Sequence, residues 1–258
     1  MAIRTLVRVL DEDPELGSRL DARTFAFARR DLLARVAVYD ARASLGGAEV
    51  RAHEDSLGLL VLDGLLVRRV GMLGRFGVEL LGAGDVVRPW EREDGFSSVP
   101  ISASWRVLER TSVAVLDDDF AVALARFPGV LKELLRRATR RADLVAHHLV
   151  LTQLPRVESR LLVLLWQLAD RWGKATPQGV VLPLPLSHTT LGELVSAARP
   201  TVTSALKLLA AQGLAAWERS DGGWVLQGPP PAEARRSRLL AAPALAHERS
   251  GLRLAQPA

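Results

Sequence analysis

Between Leu186 and Leu226 the chain places two arginines, several hydroxyl residues and a lysine where two short helices and a hairpin would present them together. Ser187 suits a helix N-cap, because its hydroxyl can accept a first-turn N–H that has no partner inside the helix. Leu191, Leu194 and Val195 give that helix its apolar face, and Ser196-Ala197-Ala198 break it. Pro200 disfavours helical geometry at Arg199 and suits the first helical position, which puts Arg199 at the cap and Pro200 at N1 of a second helix. Val202, Ala205, Leu206 and Leu209 form its apolar stripe, leaving Arg199, Thr201, Thr203, Ser204 and Lys207 polar. Gly213 stops the helix, Leu214 to Trp217 leads a strand, Ser220-Asp221-Gly222-Gly223 turns, and Trp224 to Leu226 returns. Helix, short turn, helix and hairpin form the winged helix-turn-helix pattern.

The chemistry of this segment is non-covalent. A helix whose first turns enter a major groove can pair an arginine bidentately with guanine, and hydroxyls with N-terminal amides can hold phosphates. The expected DNA-facing residues are Arg199, Pro200, Thr201, Thr203, Ser204 and Lys207. Phosphate contacts are expected from Ser187, Thr189 and the wing's Arg219. A merely solvated polar face is the competing account of the threonines and serine. The complete unit, more than any single residue, favours double-stranded DNA as the partner.

No other segment suggests chemistry. Cysteine is absent, which removes disulfides, thiol nucleophiles and cysteine-ligated clusters from consideration. No Ser/His/Asp spacing, metal box, G-x-G-x-x-G or Walker run is present, so no enzyme, cofactor or metal is expected. The 258 residues, 48% of them hydrophobic, suit one large or two ordinary domains. Residues 1–127 carry a net charge of −3 and residues 128–258 a net of +8, which also suggests two domains, the second facing a polyanion. The apolar start is interrupted by Arg4 and Arg8, unlike a secretory signal, and no run approaches a membrane span. A cytoplasmic protein without a membrane partner is expected.

The elements that must position the reading segment follow from periodicity. A helix is expected over Pro14 to Ala37. Short apolar runs then alternate with glycine: Leu59 to Leu62, Leu65 to Val67, Val78 to Leu81, Val86-Val87, Trp105 to Leu108 and Val113 to Leu116. These predict strands of a sandwich or barrel, with a hairpin turn at Asp63-Gly64 and a further turn at Gly82-Ala83-Gly84-Asp85. From Pro128 the period changes. Leu131, Leu135, Ala138, Ala142, Val145 and Leu149 are spaced as the a/d seam of a helix that expects a partner helix. A single long core helix is the competing account. Leu134, Leu144 and Leu151 form a second stripe toward the helix's own domain, and Arg136, Arg137, Arg140 and Arg141 are assigned to the wet face. Pro155 ends the helix. A leucine-rich helix follows from Arg156 to Trp172, with a short strand at Val180 to Leu182.

In this order, the elements resemble the Crp/Fnr family of bacterial transcription regulators. The similarity is densest in L-S-x-x-x-L-G-E-L-V-S-A-A-R-P-T-V-T-S-A-L-K-L-L, from Leu186 to Leu209, and extends more faintly to Leu59–Gly64 and Gly84-Asp85. The resemblance implies an α+β chain: an N-terminal jelly-roll-like β-roll (1–127), a long dimerisation helix (128–154) and a winged helix (155–228). A basic, proline-rich tail (229–258) lies outside it. It also implies a homodimer reading a near-palindromic site, with RNA polymerase as a further partner and, as effector, an unknown small molecule or none.

Departures from the family bear on the effector. The glutamate expected near Pro89 is missing, the Arg-Ser pair corresponds to Ala103-Ser104, and the helix hydroxyl pair falls on Val145-Ala146. A cyclic nucleotide would lose its main charge-assisted bonds, so cAMP is not expected to bind. Gly84, Asp85, Arg88, Trp90 and Ser104, with Trp105 nearby, remain the candidate lining of an altered effector pocket. Trp90 and Trp105 read first as core or rim residues, because tryptophan is mostly buried. His53 is isolated, and adjacent His147 and His148 point different ways around a helix, which disfavours a shared metal or haem. Pro200 and Ser204 replace a glutamate and an arginine common in the family, predicting a different base preference. They also keep open a second reading, a ligand-binding or protein-interaction module whose winged helix no longer reads DNA.

Overall fold

Apolar runs in the first half of the chain become long strands buried on both faces. The computed structural model describes residues 2–46, 53–90, 98–218 and 222–231. Strand β1 (Ala2–Arg8) leads into helix α1 (Val9–Glu12), a 3-10 turn (Pro14–Gly17), α2 (Ala22–Asp31) and β2 (Leu33–Tyr39). Strands β3 (Gly58–Met72), β4 (Arg75–Gly82), β5 (Val86–Val87) and β6 (Ile101–Leu116) complete an antiparallel sheet. Its order is β1-β2-β6-β3-β4, with β5 paired to β3.

The helix expected over Pro14 to Ala37 is confined to α2. Asp21 caps it by accepting the N–H groups of Arg23 and Thr24, and the chain beyond Leu32 is drawn into the sheet, where Ala34 and Ala37 are buried. Alternation along β3 then explains its unbroken apolar run. Leu59 and Val61 pack with Ala37, Val113, Val115 and Trp105, whereas Leu60 packs with Ala34, Ala114, Leu116 and the N-terminal helices.

Asp63-Gly64 is not a hairpin turn. It is a bulge inside β3, where the register with β6 shifts repeatedly between Val61 and Leu66. Gly64 has φ +97°, and a Cβ there would meet the Arg110 carbonyl oxygen at 2.4 Å. The real hairpin turn is Leu73-Gly74, with φ 49° and 73°, between the paired residues Met72 and Arg75. Positive φ at both central residues matches the turn class that follows strand twist.

After α3 (Asp118–Leu124) comes α4 (Pro128–Thr152), a 25-residue helix with Pro128 in its first turn. Leu134 and Leu151 turn inward, but Leu144 is exposed. Arg136 and Arg140 are exposed as expected. Arg137 and Arg141 are not: they turn back onto carboxylates and carbonyls of the sheet domain. The remaining elements are α5 (Val157–Trp172), β7 (Lys174–Thr176), β8 (Gly179–Leu182), α6 (His188–Val195), α7 (Arg199–Ala211), β9 (Ala215–Glu218) and β10 (Gly223–Leu226). Strand β7 escapes the sequence reading. The last four strands form a sheet in the order β7-β8-β10-β9.

Two compact units divide the chain: Met1–Leu161 with Pro185–Leu206, and Leu162–Leu184 with Lys207–Ala258. Among the described residues no helix is long and apolar enough to cross a membrane.

Candidate nucleic-acid interface

Helix α6 begins where its sequence allows a cap. The Ser187 hydroxyl accepts the Thr190 N–H at 3.1 Å and lies 2.9 Å from the Thr190 hydroxyl. Leu191, Leu194 and Val195 are buried. The helix ends on Ser196 in the left-handed conformation, and the Ala197 N–H returns to the Gly192 carbonyl at 2.9 Å. A Cβ on Gly192 would meet the Ala197 carbonyl oxygen at 2.6 Å, so this glycine lets the turn fold flat on its own helix. Helix α7 starts one residue earlier than predicted. Arg199 is its first residue and Pro200 its second, with the Val202 N–H bonded to the Ala198 carbonyl. It ends on Gly213 (φ 66°), where Gly213 donates to Ala210 and Leu214 to Leu209, the paired bonds of a Schellman cap.

Val202, Ala205, Leu206 and Leu209 are buried, so the opposite side of α7 is presented outward. Arg199, Pro200, Thr201, Ser204 and Lys207 are all exposed, as are Ser187 and Thr189. Thr201, Ser204 and Lys207 recur every three residues, which keeps them on one side of the helix. Thr203 differs from its neighbours. Its hydroxyl is half-buried, 3.0 Å from the Arg199 carbonyl and 2.9 Å from His188 Nδ1, so it ties α7 to α6. Arg219 lies outside the described residues, as do Ser220 and Asp221. On the hairpin itself, Trp217 and Trp224 stack edge to face with ring centres 5.4 Å apart.

Helix α6 is held at several further points that the sequence reading misses. Arg160 donates to the Leu154 carbonyl at 2.5 Å and to the Val195 carbonyl at 3.1 Å. Arg69 of β3 pairs with Glu193 at 3.0 Å. His148 hydrogen-bonds the backbone at Leu194, and burial holds its pKa below the ordinary histidine value.

The candidate effector residues have other occupations. The Asp85 carboxylate accepts the Gly82 N–H at 2.9 Å, and Gly84 and Asp85 exchange backbone bonds with Val61. Arg88 donates to the carbonyls of Ser56 and Leu57 and lies over the Trp90 ring at 5.7 Å. Trp105 is buried in the core, Trp90 packs against that core, and Ser104 is exposed on β6. Arg137 and Arg141, four residues apart on one side of α4, reach the Gly84–Val86 turn instead. Their helical spacing was the only signal available in the sequence. Among the described residues no three or more histidine, aspartate or glutamate side chains are grouped to hold a metal ion.

Residues 159–227 match the family model described as the Crp-like helix-turn-helix domain. A domain of that kind therefore occupies this part of the chain. No curated protein matches the chain in sequence. Solved structures share the fold along most of its length. A mutant of CooA from Carboxydothermus hydrogenoformans has a TM-score of 0.61 at 18% identity, covering 92% of this chain and 98% of its own. FixK2 from Bradyrhizobium japonicum has a TM-score of 0.56 at 20% identity, covering 83% and 98%. TTHB099, a transcriptional regulator of the CRP family from Thermus thermophilus, has a TM-score of 0.54 at 21% identity, covering 78% and 95%. The fold is thus the mixed α and β architecture of Crp/Fnr regulators, with an antiparallel sheet domain, a long helix and a C-terminal helix-turn-helix.

Proposed function

We propose that this chain is a sequence-specific, DNA-binding transcription regulator that works as a homodimer. The observation that carries the reading is the outward row Arg199, Thr201, Ser204 and Lys207, on a helix whose opposite side is buried within a Crp-like domain. Arg199 at the tip supplies a planar fork for guanine, Thr201 and Ser204 supply hydroxyls, and Lys207 a phosphate charge. Thr203 positions the helix rather than touching DNA. Residues 1–127 form the sensor domain, 128–154 the dimer helix and 155–228 the DNA-binding domain. Leu131, Leu135, Ala138, Ala142, Val145 and Leu149 are all exposed in the single chain, and a second copy of α4 would cover them. The sensor domain does not take cAMP, because Gly84, Asp85 and Arg88 already hydrogen-bond the chain's own backbone and the expected ligand-binding pairs are replaced.

A binding selection on random genomic fragments at two salt concentrations tests this, run with wild type and Arg199→Ala. One enriched inverted repeat, with its preference lost or relaxed in the variant and its affinity falling steeply with salt, is the expected result. No enrichment at either salt concentration would favour a protein-interaction module instead.

A further inference from the structure

A carboxylate on β4 sits between two guanidinium groups where the sheet domain meets α4. Arg141 Nε and Nη2 reach Glu79 Oε1 and Oε2 at 2.6 and 2.8 Å, a two-pronged contact. Arg68 Nη1, on the residue paired with Glu79 across the β3–β4 hairpin, approaches Oε2 at 3.5 Å. Arg68 in turn lies over the Trp105 ring at 5.5 Å, so its orientation is fixed by the core. Arg141 also donates to the Val86 carbonyl at 3.2 Å, which links the helix, the hairpin and the turn that follows it. The Arg141 and Glu79 side chains are only 24% and 19% exposed. Burial opposes the Arg141 charge, yet the hydrogen bond and charge of Glu79 outweigh it and leave the group more firmly protonated than usual.

Arg137 repeats the arrangement one turn earlier. It pairs with Asp13 at 2.5 and 2.9 Å and with Glu133 at 3.4 Å, and donates to the Gly84 carbonyl at 3.3 Å. Two consecutive turns of α4 thus send guanidinium groups onto the 82–87 segment. A planar fork closed on two oxygens is how arginine recognises a carboxylate or a phosphate group of a ligand. Here both oxygens come from the chain.

We propose that Glu79 is a built-in substitute for an anionic effector. Its carboxylate fills the Arg141 fork, so α4 is drawn onto the 82–87 segment with nothing bound, and the regulator is assembled in its working geometry without a ligand. The class of molecule displaced by this arrangement is a small oxyanion, such as a phosphate group. The proposal rests on reading residues 1–127 as the sensor domain of the regulator proposed above. A plain structural ion pair would have the same geometry but a different consequence. Removing its carboxylate would weaken the fold without creating a site.

Thermal unfolding of the full chain separates the two. Wild type, Glu79→Gln and Glu79→Gln/Arg141→Gln are titrated with inorganic phosphate against sodium chloride of equal ionic strength. Glu79→Gln is expected to melt lower than wild type and to recover with phosphate in a concentration-dependent way, as a ligand of the folded state must cause. Wild type and the double variant are expected to follow the chloride control. Should Glu79→Gln fail to fold, Glu79→Asp, whose shorter carboxylate withdraws from the fork, is held to the same expectation. Equal responses of all variants to phosphate and chloride would overturn the proposal, as would a rise in the wild-type Tm with cyclic AMP. None of these readouts involves DNA. Failure of the operator selection would therefore count against the proposed function and leave the phosphate result to be judged alone.

Discussion

His188 Nδ1 and Thr203 Oγ1 meet at 2.9 Å, joining the first residue of α6 to the second turn of α7. The Thr203 hydroxyl has one proton and sits 3.0 Å from the Arg199 carbonyl. Donating that proton to Arg199 leaves Oγ1 to accept from a protonated Nδ1, so both bonds are satisfied at once. The angle between the two helices is therefore held partly by a polar pair. Thr203→Val and His188→Ala should each reduce stability. In a double-mutant cycle by urea unfolding their coupling should be about 0.5–1.5 kcal/mol, the range of one net hydrogen bond. Strict additivity would show that the pair contributes nothing. Thr203→Val should weaken operator binding without changing base preference, whereas Thr201→Ala or Ser204→Ala should change the preference.

The exposed seam on α4 gives the second prediction. Leu135 and Leu149 are 66% and 62% exposed, an unusual state for leucines in a regular heptad row. Sedimentation of the wild type should report a dimer. Val145→Glu would bury an unpaired carboxylate at the seam, at a cost of about 3 kcal/mol, equivalent to a dissociation constant raised roughly a hundredfold. A dimer unchanged by that substitution would place the interface elsewhere.

Helix α7, the Ser187 cap of α6 before it and the long helix from Pro128 were legible because each depends on contacts a few residues apart. A 3.6-residue period, a proline and a capping hydroxyl are local signals. Asp63-Gly64 misled for the same reason. Asp-Gly is locally the stronger turn, but β3 is held straight through it by pairing to β6, more than 40 residues away in sequence. Arg137 and Arg141 escaped the reading because their partners Asp13 and Glu79 are 124 and 62 residues distant. No spacing rule reaches that far. The candidate effector residues were legible only as a set of types: Gly84, Asp85 and Arg88 are present, but their hydrogen bonds go to the chain itself.

Acid should loosen the contact between α4 and α6. Burial keeps His148 neutral to lower pH than an ordinary histidine, and the backbone at Leu194 and the Glu79 charge offset this only in part. The unfolded chain takes up the proton at about pH 6.5 and the folded chain only below that. Stability is therefore complete above the ordinary value and falls as pH drops toward the folded-state value. Urea midpoints measured downward from neutral pH should decline through this window in wild type. His148→Gln should flatten that decline; an unchanged slope would assign it to other groups.

The Leu73-Gly74 turn yields the last prediction, and it tests whether a local cost is left uncompensated. Leu73 has φ 49° and is 83% exposed. A residue with a Cβ held in the left-handed region costs roughly 1–2 kcal/mol, and asparagine bears it more easily than leucine. Leu73→Asn should accordingly raise the unfolding free energy obtained from urea curves, by about 0.5 kcal/mol or more. Gly74 also has positive φ (+73°), but a Cβ there meets nothing within 4 Å, so Gly74→Ala should cost only the conformational term. Gly64→Ala should cost more, because a Cβ there is both strained and driven into the Arg110 carbonyl at 2.4 Å. If Leu73→Asn instead destabilises the dimer while leaving a monomeric Val145→Glu background more stable, the leucine side chain is covered by the second copy. The strain at the turn would then be the cost of an intermolecular contact.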